Sequence, residues 1–163
     1  MSRPGASLGP ALLLAVSLAG CGFRLQGAVT LPEGIDRVQV SATDELTPFA
    51  VELRNRLRDS GTLVADAASE ADVVIRVRVD RTGRRVLSVS ARNTPQEFEI
   101  FYFVEYSIDR AGQEVVPPQR LELTRNFSFD QSLLLAKDRE EDVLREAMAR
   151  DLADLVLRRV ASL

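Results

Sequence analysis

Residues Glu97–Asp109 read EFEIFYFVEYSID, and this stretch decides the fold that the sequence predicts. A two-residue period of apolar side chains places them all on one face of a β-strand. The apolar set comprises Phe98, Ile100, Tyr102, Val104, Tyr106 and Ile108. The other face is unusual, because Phe101 and Phe103 stand between Glu99 and Glu105. The stretch therefore predicts the longest strand of a sheet, with one face covered by helices.

The segment before this strand predicts a hairpin. Apolar residues at odd positions from Val73 to Val79 alternate with Arg76 and Arg78, which is typical of a half-buried strand. Thr82-Gly83 has the composition of a turn, and we expect the chain to reverse direction there. The second strand would carry an apolar face made of Leu87, Val89 and Ala91. An earlier, shorter strand is predicted at Ile35–Val40.

The segment after the long strand predicts a turn at Arg110–Gln113 and then a returning strand. Pro117-Pro118 lack the N–H groups that a sheet ladder requires, so we expect pairing to start only beyond them. The apolar face of the returning strand would carry Leu121, Leu123, Phe127 and Phe129.

Two helices are predicted from their end signals and their apolar period. The first begins at Thr47-Pro48, ends at Ser60-Gly61 and buries Phe49, Leu53 and Leu57. In the second, Asp138 followed by Glu141 resembles a capping box. Its apolar stripe would comprise Leu144, Met148, Leu152, Leu155 and Val160.

These elements predict one α+β domain over residues 35–163, with the order β-α-β-β-β-β-α. The simplest arrangement packs both helices on one face of a mostly antiparallel sheet, because each amphipathic element then buries its apolar side once.

Composition limits the possible functions. The chain has 163 residues, a formal net charge of -3, no histidine and one cysteine. The charge balance does not favour nucleic-acid binding. The common zinc sites and the histidine-dependent nucleophilic centres are excluded. We therefore expect no metal, no cofactor and no enzymatic activity, with a hydrolase using Glu97 and Glu99 as the catalytic alternative.

Residues 1–20 have the composition of an export signal, with Arg3, an apolar run at 8–18 and small residues at 19–20. Leu18-Ala19-Gly20-Cys21 resembles the bacterial lipobox, in which the cysteine sulfur is lipidated before cleavage. We therefore predict a covalent lipid on Cys21 and a tether over residues 21–34. A buried structural thiol is the alternative. Gly22, in place of an aspartate, favours the outer membrane, with the domain on the periplasmic side.

Three further features exceed what a core requires. Residues 76–92 hold six arginines against one acid, which indicates either an anion site or a solubilising face. Lys137 lies at the start of the last helix, where the helix dipole disfavours a cation. Phe101 and Phe103 would be exposed unless a partner covers them or both faces of the sheet are partly buried. The six arginines are Arg76, Arg78, Arg81, Arg84, Arg85 and Arg92.

Taken together, these motifs resemble the LPS-assembly lipoprotein family LptE (RlpB). The resemblance is carried by Cys21-Gly22-Phe23-Arg24-Leu25, Leu31-Pro32, LTRNFSFD at 123–130 and LLLAKDREEDVLREAMARD at 133–151. It implies an outer-membrane protein that binds lipopolysaccharide and plugs the LptD β-barrel translocon. It also implies a fold of two helices on a small sheet. By position, it implies that Arg92 and Lys137 contact lipopolysaccharide.

The hypothesis is thus a non-enzymatic lipoprotein whose cations bind lipopolysaccharide and whose apolar residues contact an LptD-like barrel. The candidates for lipopolysaccharide binding are Arg92, Lys137, Arg76 and Arg78. The candidates for the partner interface are Phe101, Phe103, Phe23 and Leu25. The competing hypothesis is a lipid-anchored periplasmic module that binds peptidoglycan or another envelope protein.

Overall fold

The computed structural model describes residues 29–128 and 134–163, with the backbone alone at 134–137. These ranges form five strands, two α-helices and a short 3-10 turn at Ala68–Glu70. The strands are β1 (Arg37–Ala42), β2 (Leu63–Val64), β3 (Val73–Val89), β4 (Pro95–Arg110) and β5 (Gln113–Ser128), and the helices are α1 (Pro48–Asp59) and α2 (Leu134–Val160). The predicted order β-α-β-β-β-β-α is confirmed, although β2 was not predicted.

The strands form one sheet in the order β2-β1-β3-β4-β5. β1 pairs in parallel with β2 and β3, because α1 carries the chain back across the sheet between them. β3, β4 and β5 pair antiparallel, each joined to the next by a hairpin. The predicted class, an α+β fold with a mostly antiparallel sheet, is confirmed.

The core lies between one face of this sheet and the two helices. All six apolar residues predicted on the core face of the long strand are buried in β4. From α1, Phe49, Leu53 and Leu57 pack into the same cluster, as predicted. The backbone N–H of Phe49 donates a hydrogen bond to the Tyr102 hydroxyl at 3.1 Å, which fixes the start of α1 over β4. We call this side of the sheet the covered face and the other side the open face.

The ends of α1 follow the predicted signals. The Thr47 side chain accepts a hydrogen bond from the backbone N–H of Ala50 at 3.3 Å, and Pro48 occupies the first helical turn. The last helical residue is Asp59, so the predicted stop at Ser60-Gly61 is confirmed.

The start of α2 was wrongly predicted. The helix begins at Leu134, so Asp138 lies inside it and does not cap it. Residues 134–137 are mostly strong helix formers, which favours this extension. Lys137 therefore belongs to the first turn. The predicted apolar stripe is correct at Met148, Leu152 and Val160, but Leu155 is exposed because α2 turns Val156 and Leu157 towards α1 and the sheet instead.

The predicted turn at Thr82-Gly83 is wrong, because β3 continues through it for 17 residues. Gly83 pairs with Phe101 across the sheet, and a Cβ at position 83 would lie 2.6 Å from Phe101 Cζ. This glycine therefore lets an aromatic ring approach the backbone closely and does not bend the chain. The chain reverses further on, where the backbone N–H of Ser90 donates to the Thr94 carbonyl at 2.8 Å.

The two prolines do not delay β5, which begins at Gln113 directly after the predicted turn. They are tolerated because β5 is the edge strand and needs hydrogen bonds on one side only. The register shifts between the pairs Tyr106–Gln119 and Ile108–Val116, so Pro117-Pro118 lie in a bulge. Phe129, predicted on the same strand, lies outside the described residues.

Candidate functional site

The hairpin of β3 and β4 carries the six arginines, but not all on one face. The register shifts between Val77 and Val79, so Arg78 lies at a bulge. Beyond it the alternation is reversed, because a bulge adds one residue to one strand only. Arg84 pairs with Ile100 and so belongs to the covered face, whereas Arg85 pairs with Glu99 on the open face. Arg84 therefore lies on the opposite face of the sheet from Arg81 and Arg85.

Four of these arginines form ion pairs. The Arg76 Nε and an Asp109 carboxylate oxygen are 2.7 Å apart, and Arg78 and Glu114 are 3.7 Å apart at their nearest atoms. Arg84 pairs with Glu141 at 2.9 Å, and Arg85 pairs with Glu99. The remaining two, Arg81 and Arg92, are exposed and have no ion-pair partner among residues 29–128 and 138–163. These two are therefore the hairpin cations with charge available to an external anion.

Glu141 connects the hairpin to α2. Its side chain is buried and accepts from Arg84 of β3 and from Arg145 of α2. The guanidinium of Arg84 also lies over the Phe98 ring, 5.1 Å from its centroid. Burial of a carboxylate is costly unless cationic partners pair with it. The sequence suggested a capping role for Glu141, and nothing in it indicated a contact with a strand 57 residues away.

The start of α2 and the turn of the hairpin lie at the same end of the sheet. Glu141 is fixed at the level of Ile100 through Arg84, whereas Arg159 lies near Tyr106, further from the turn. Lys137 precedes Glu141 by about one helical turn, so its Cα lies on the same side of the helix and nearer the turn. The structure thus brings the backbone of Lys137 to the end that carries Arg92.

We define the hairpin tip as residues 86–97. Besides Arg92 it exposes three aliphatic side chains, whose exposed fractions are 48% for Val86, 46% for Leu87 and 51% for Val89. The alternation of the sequence predicts Leu87 and Val89 on the apolar face of a strand, and it does not indicate that they are surface residues. The sequence does contain an indication of exposure, because these apolar residues lie between arginines. A half-buried strand has the same pattern, however, so the indication is not specific.

Phe101 and Phe103 lie on the open face and are half-buried. Phe101 is covered in part by its approach to Gly83, and the Arg120 guanidinium stacks 4.3 Å from the Phe103 ring centroid. The surrounding pairs alternate in sign, with Arg85 beside Glu99 and Arg120 beside Glu122. The open face is therefore a mixed-charge surface with two aromatic rings.

A partly buried polar network joins α1 to the hairpin. The Thr47 hydroxyl donates to a carboxylate oxygen of Asp80, and Tyr102 hydrogen-bonds the same carboxylate. Burial raises the pKa of Asp80, and these two hydroxyls oppose that rise only in part. Burial also raises the pKa of Tyr102, which keeps its hydroxyl neutral and able to donate. The network links the start of α1 to β3 and β4.

Glu97 and Glu99, the two carboxylates of the alternative hydrolase hypothesis, both bind neighbouring side chains. The Ser88 hydroxyl donates to Glu97 at 2.7 Å, and Glu99 is paired with Arg85. Within residues 29–128 and 138–163, no cluster of acidic or sulfur side chains is arranged to hold a metal ion.

Neither described helix has an apolar stretch long enough to cross a bilayer. Cys21, Phe23 and Leu25 lie outside the described residues.

Solved structures share this fold. An uncharacterized lipoprotein B from Nitrosomonas europaea superposes with a TM-score of 0.72 and 29% identity, over 86% of this chain and 91% of that one. Rare lipoprotein B from Shewanella oneidensis gives a TM-score of 0.67 and 32% identity, over 77% of this chain and 94% of that one. The two-helix sheet with its long hairpin thus defines a class of bacterial lipoproteins.

Sequence comparison specifies the family within that class. An LPS-assembly lipoprotein LptE from Pectobacterium atrosepticum is 26% identical over 157 residues, which cover 96% of this chain and 83% of that protein. The same-named protein of Yersinia pestis is 26% identical over 143 residues, covering 87% and 69%. The family profile LptE, described as Lipopolysaccharide-assembly, matches residues 35–160. The chain belongs to the LptE lipopolysaccharide-assembly family, as its motifs predicted.

Proposed function

We propose that this lipoprotein is held in the outer membrane by a lipid on Cys21, binds lipopolysaccharide and plugs an LptD-like β-barrel translocon. Membership of the lipopolysaccharide-assembly family supports the ligand class and a non-catalytic role. The export signal that ends in Leu18-Ala19-Gly20-Cys21 supports the anchor. Two or more acyl chains are needed for stable anchoring, which is what lipobox processing supplies.

The observation that carries lipopolysaccharide binding is the free charge of Arg92 at an exposed hairpin tip. A guanidinium binds phosphate through two parallel hydrogen bonds, and Arg92 has no described carboxylate to displace first. Arg76 and Arg78 are secondary contacts in this proposal, because each must first release Asp109 or Glu114. Exposed ion pairs are weak, at about 0–1 kcal/mol, so such an exchange is inexpensive.

Charge reversal tests the two principal contacts. Arg92→Glu and Lys137→Glu should each weaken binding of the purified protein to lipopolysaccharide by about tenfold or more, because a hydrogen bond to a charged group contributes about 1.5–3 kcal/mol. Arg150→Glu is the matched control, since Arg150 is exposed in the middle of α2, and its affinity should stay within about twofold. Unchanged affinity in folded Arg92→Glu and Lys137→Glu proteins would contradict this assignment.

The anchor is tested separately with Cys21→Ser. The wild-type N-terminal peptide should carry acyl chains by mass spectrometry, and the wild-type protein should fractionate with the outer membrane. The variant should lose both properties. Recovery of an unmodified Cys21 peptide from wild-type membranes would exclude lipidation.

The barrel partnership has its own test. In this proposal Phe23, Leu25, Phe101 and Phe103 contact the barrel, and Phe103 is the best probe because it is half-buried on the open face. Phe103→Ser should reduce the barrel protein that co-purifies from detergent-solubilised outer membranes, while lipopolysaccharide affinity is retained. Leu155→Ser, an exposed apolar change on α2, is the control. Equal recovery in both variants argues against contact through the open face.

A further inference from the structure

The hairpin tip combines exposed apolar side chains with an exposed cation. Val86, Leu87 and Val89 are each about half exposed, although β-branched and large aliphatic residues in strands are usually buried. Within three residues of Val89 lies Arg92, a cation without an ion-pair partner in the described part of the chain. The tip therefore offers apolar contact area next to available positive charge.

The local backbone explains why these side chains point outward. The register between β3 and β4 shifts on both sides of Ser88, whose hydroxyl bonds Glu97 on the open face. Such irregularities change the side to which neighbouring residues point. Val86, opposite Phe98, still belongs to the covered side, where Phe98 and Phe127 stack with centroids 5.8 Å apart. Val86 thus continues outward from the end of the core, and Leu87 and Val89 follow it along the tip.

The charge and the apolar surface of the hairpin tip together indicate which kind of ligand would bind there. A ligand that covers this tip must bring an anion for Arg92 and an apolar surface for the three aliphatic side chains. Arg85 beside the patch is already paired with Glu99, so Arg92 is the available cation nearest these side chains among the described residues. An anionic glycolipid has this composition, because its phosphates and its acyl chains are joined in one molecule.

We propose that Val86, Leu87 and Val89 form an acyl-chain subsite beside the phosphate contact at Arg92. This inference rests on the proposed lipopolysaccharide binding and assigns its apolar part. The acyl chains nearest the phosphorylated sugars lie against the three side chains, while Arg92 holds a phosphate. The tip then distinguishes an acylated from a deacylated ligand, which arginines alone cannot do.

The test compares two probes and two matched triple variants of the full chain, purified in mild detergent. The probes are intact lipopolysaccharide and the same material fully deacylated by alkali, each used to displace fluorescently labelled lipopolysaccharide. The tip variant is Val86→Thr, Leu87→Gln, Val89→Thr. The control variant carries the same changes at exposed positions elsewhere: Val115→Thr, Leu63→Gln and Val143→Thr. Threonine keeps the β-branched shape, so strand propensity is preserved.

We expect wild-type protein to prefer the intact probe. The tip variant should lose about tenfold in affinity for that probe, since several apolar groups lose contact area, and should keep its affinity for the deacylated probe. The control variant should stay within about twofold for both probes. Arg92→Glu should weaken the binding of both probes, because both retain the phosphates.

Two results overturn the inference while leaving the proposed function intact. One is equal binding of both probes by wild-type protein, and the other is unchanged affinity of the tip variant for intact lipopolysaccharide. If the tip variant instead loses only the co-purifying barrel protein, the patch is a protein contact and the acyl subsite is wrong. Absence of any binding by wild-type protein would refute the proposed function itself.

Discussion

The substitution Gly83→Ala tests the largest difference between the predicted and the observed hairpin. A Cβ at this position would lie 2.6 Å from Cζ and 3.0 Å from Cε1 of Phe101, so the ring must move. Overpacking of this kind costs about 1–3 kcal/mol. Alanine also lowers the entropy of the unfolded chain, which stabilises the folded state by about 0.4–1 kcal/mol. We expect a net loss of roughly 1–2 kcal/mol in the free energy of unfolding, measured by urea denaturation.

A double-mutant cycle assigns this loss to the ring. In a Phe101→Ala background the clash is gone, so Gly83→Ala should be neutral or stabilising by about 0.4–1 kcal/mol. The coupling energy between the two positions should therefore be about 1–3 kcal/mol. Gly112 supplies the control, because it has a φ of +76° and no atom within 4 Å of an added Cβ. Gly112→Ala should cost about 1–2 kcal/mol through backbone strain, equally in both backgrounds.

The refuting result is specific. If Gly83→Ala costs the same with and without the Phe101 ring, then position 83 requires glycine for its backbone conformation. It would behave like Gly112, and the chain would reverse at Thr82-Gly83, as its composition suggested. The continuous β3 described above would then be wrong at its centre.

Two further predictions concern buried charge. Glu141→Gln should lower the free energy of unfolding by about 1–3 kcal/mol, because Arg84 and Arg145 lose a buried anion, discounted for their partial exposure. Glu146→Gln, exposed on the same helix, should change it by under about 0.5 kcal/mol, and equal effects would refute the role of Glu141. Because the pKa of Asp80 is raised on folding, the folded protein binds this proton more tightly than the unfolded chain does. The resulting stabilisation is complete below the ordinary pKa of 3.8 and is lost as the pH rises through the raised pKa. Asp80→Asn should therefore gain stability relative to wild type as the pH rises from 3.8 through the raised pKa of Asp80 in urea titrations, and a constant difference would contradict it.

The sequence predicted those parts of the fold in which local chemistry and tertiary packing agree. The alternation of β4 identified the core face, and Thr47-Pro48 identified the start of α1. The predictions were wrong at Gly83 and at Pro117-Pro118, because glycine and proline occur within strands as well as in turns. A glycine can accommodate a ring from the next strand, and prolines are tolerated at a sheet edge. Which use applies depends on strand order, and strand order is not a local property.

The candidate site was predictable in composition but not in arrangement. The concentration of arginines at 76–92 was visible, yet a single bulge at Arg78 decides which face each later side chain occupies. That bulge is why Arg84 reaches Glu141 on α2 while Arg85 meets Glu99 on the open face. Parity in the sequence is reliable only up to the first register shift. Partner assignment, and hence which cations are free, had to come from the structure.

The amphiphilic tip follows from a difference in length between the two layers. At about 3.3 Å per residue β3 extends roughly 56 Å, whereas α1 covers only about 18 Å and α2 about 40 Å. Burial along β3 accordingly ends near Val77, and along β4 it continues to Phe98, where Phe127 of β5 and Arg84 stack on the ring. Residues beyond that point are not all covered by the described part of the chain, and exposed apolar side chains lower solubility unless something else binds them. Their presence beside Arg92, which has no ion-pair partner among the described residues, is the observation on which the proposed acyl-chain subsite rests.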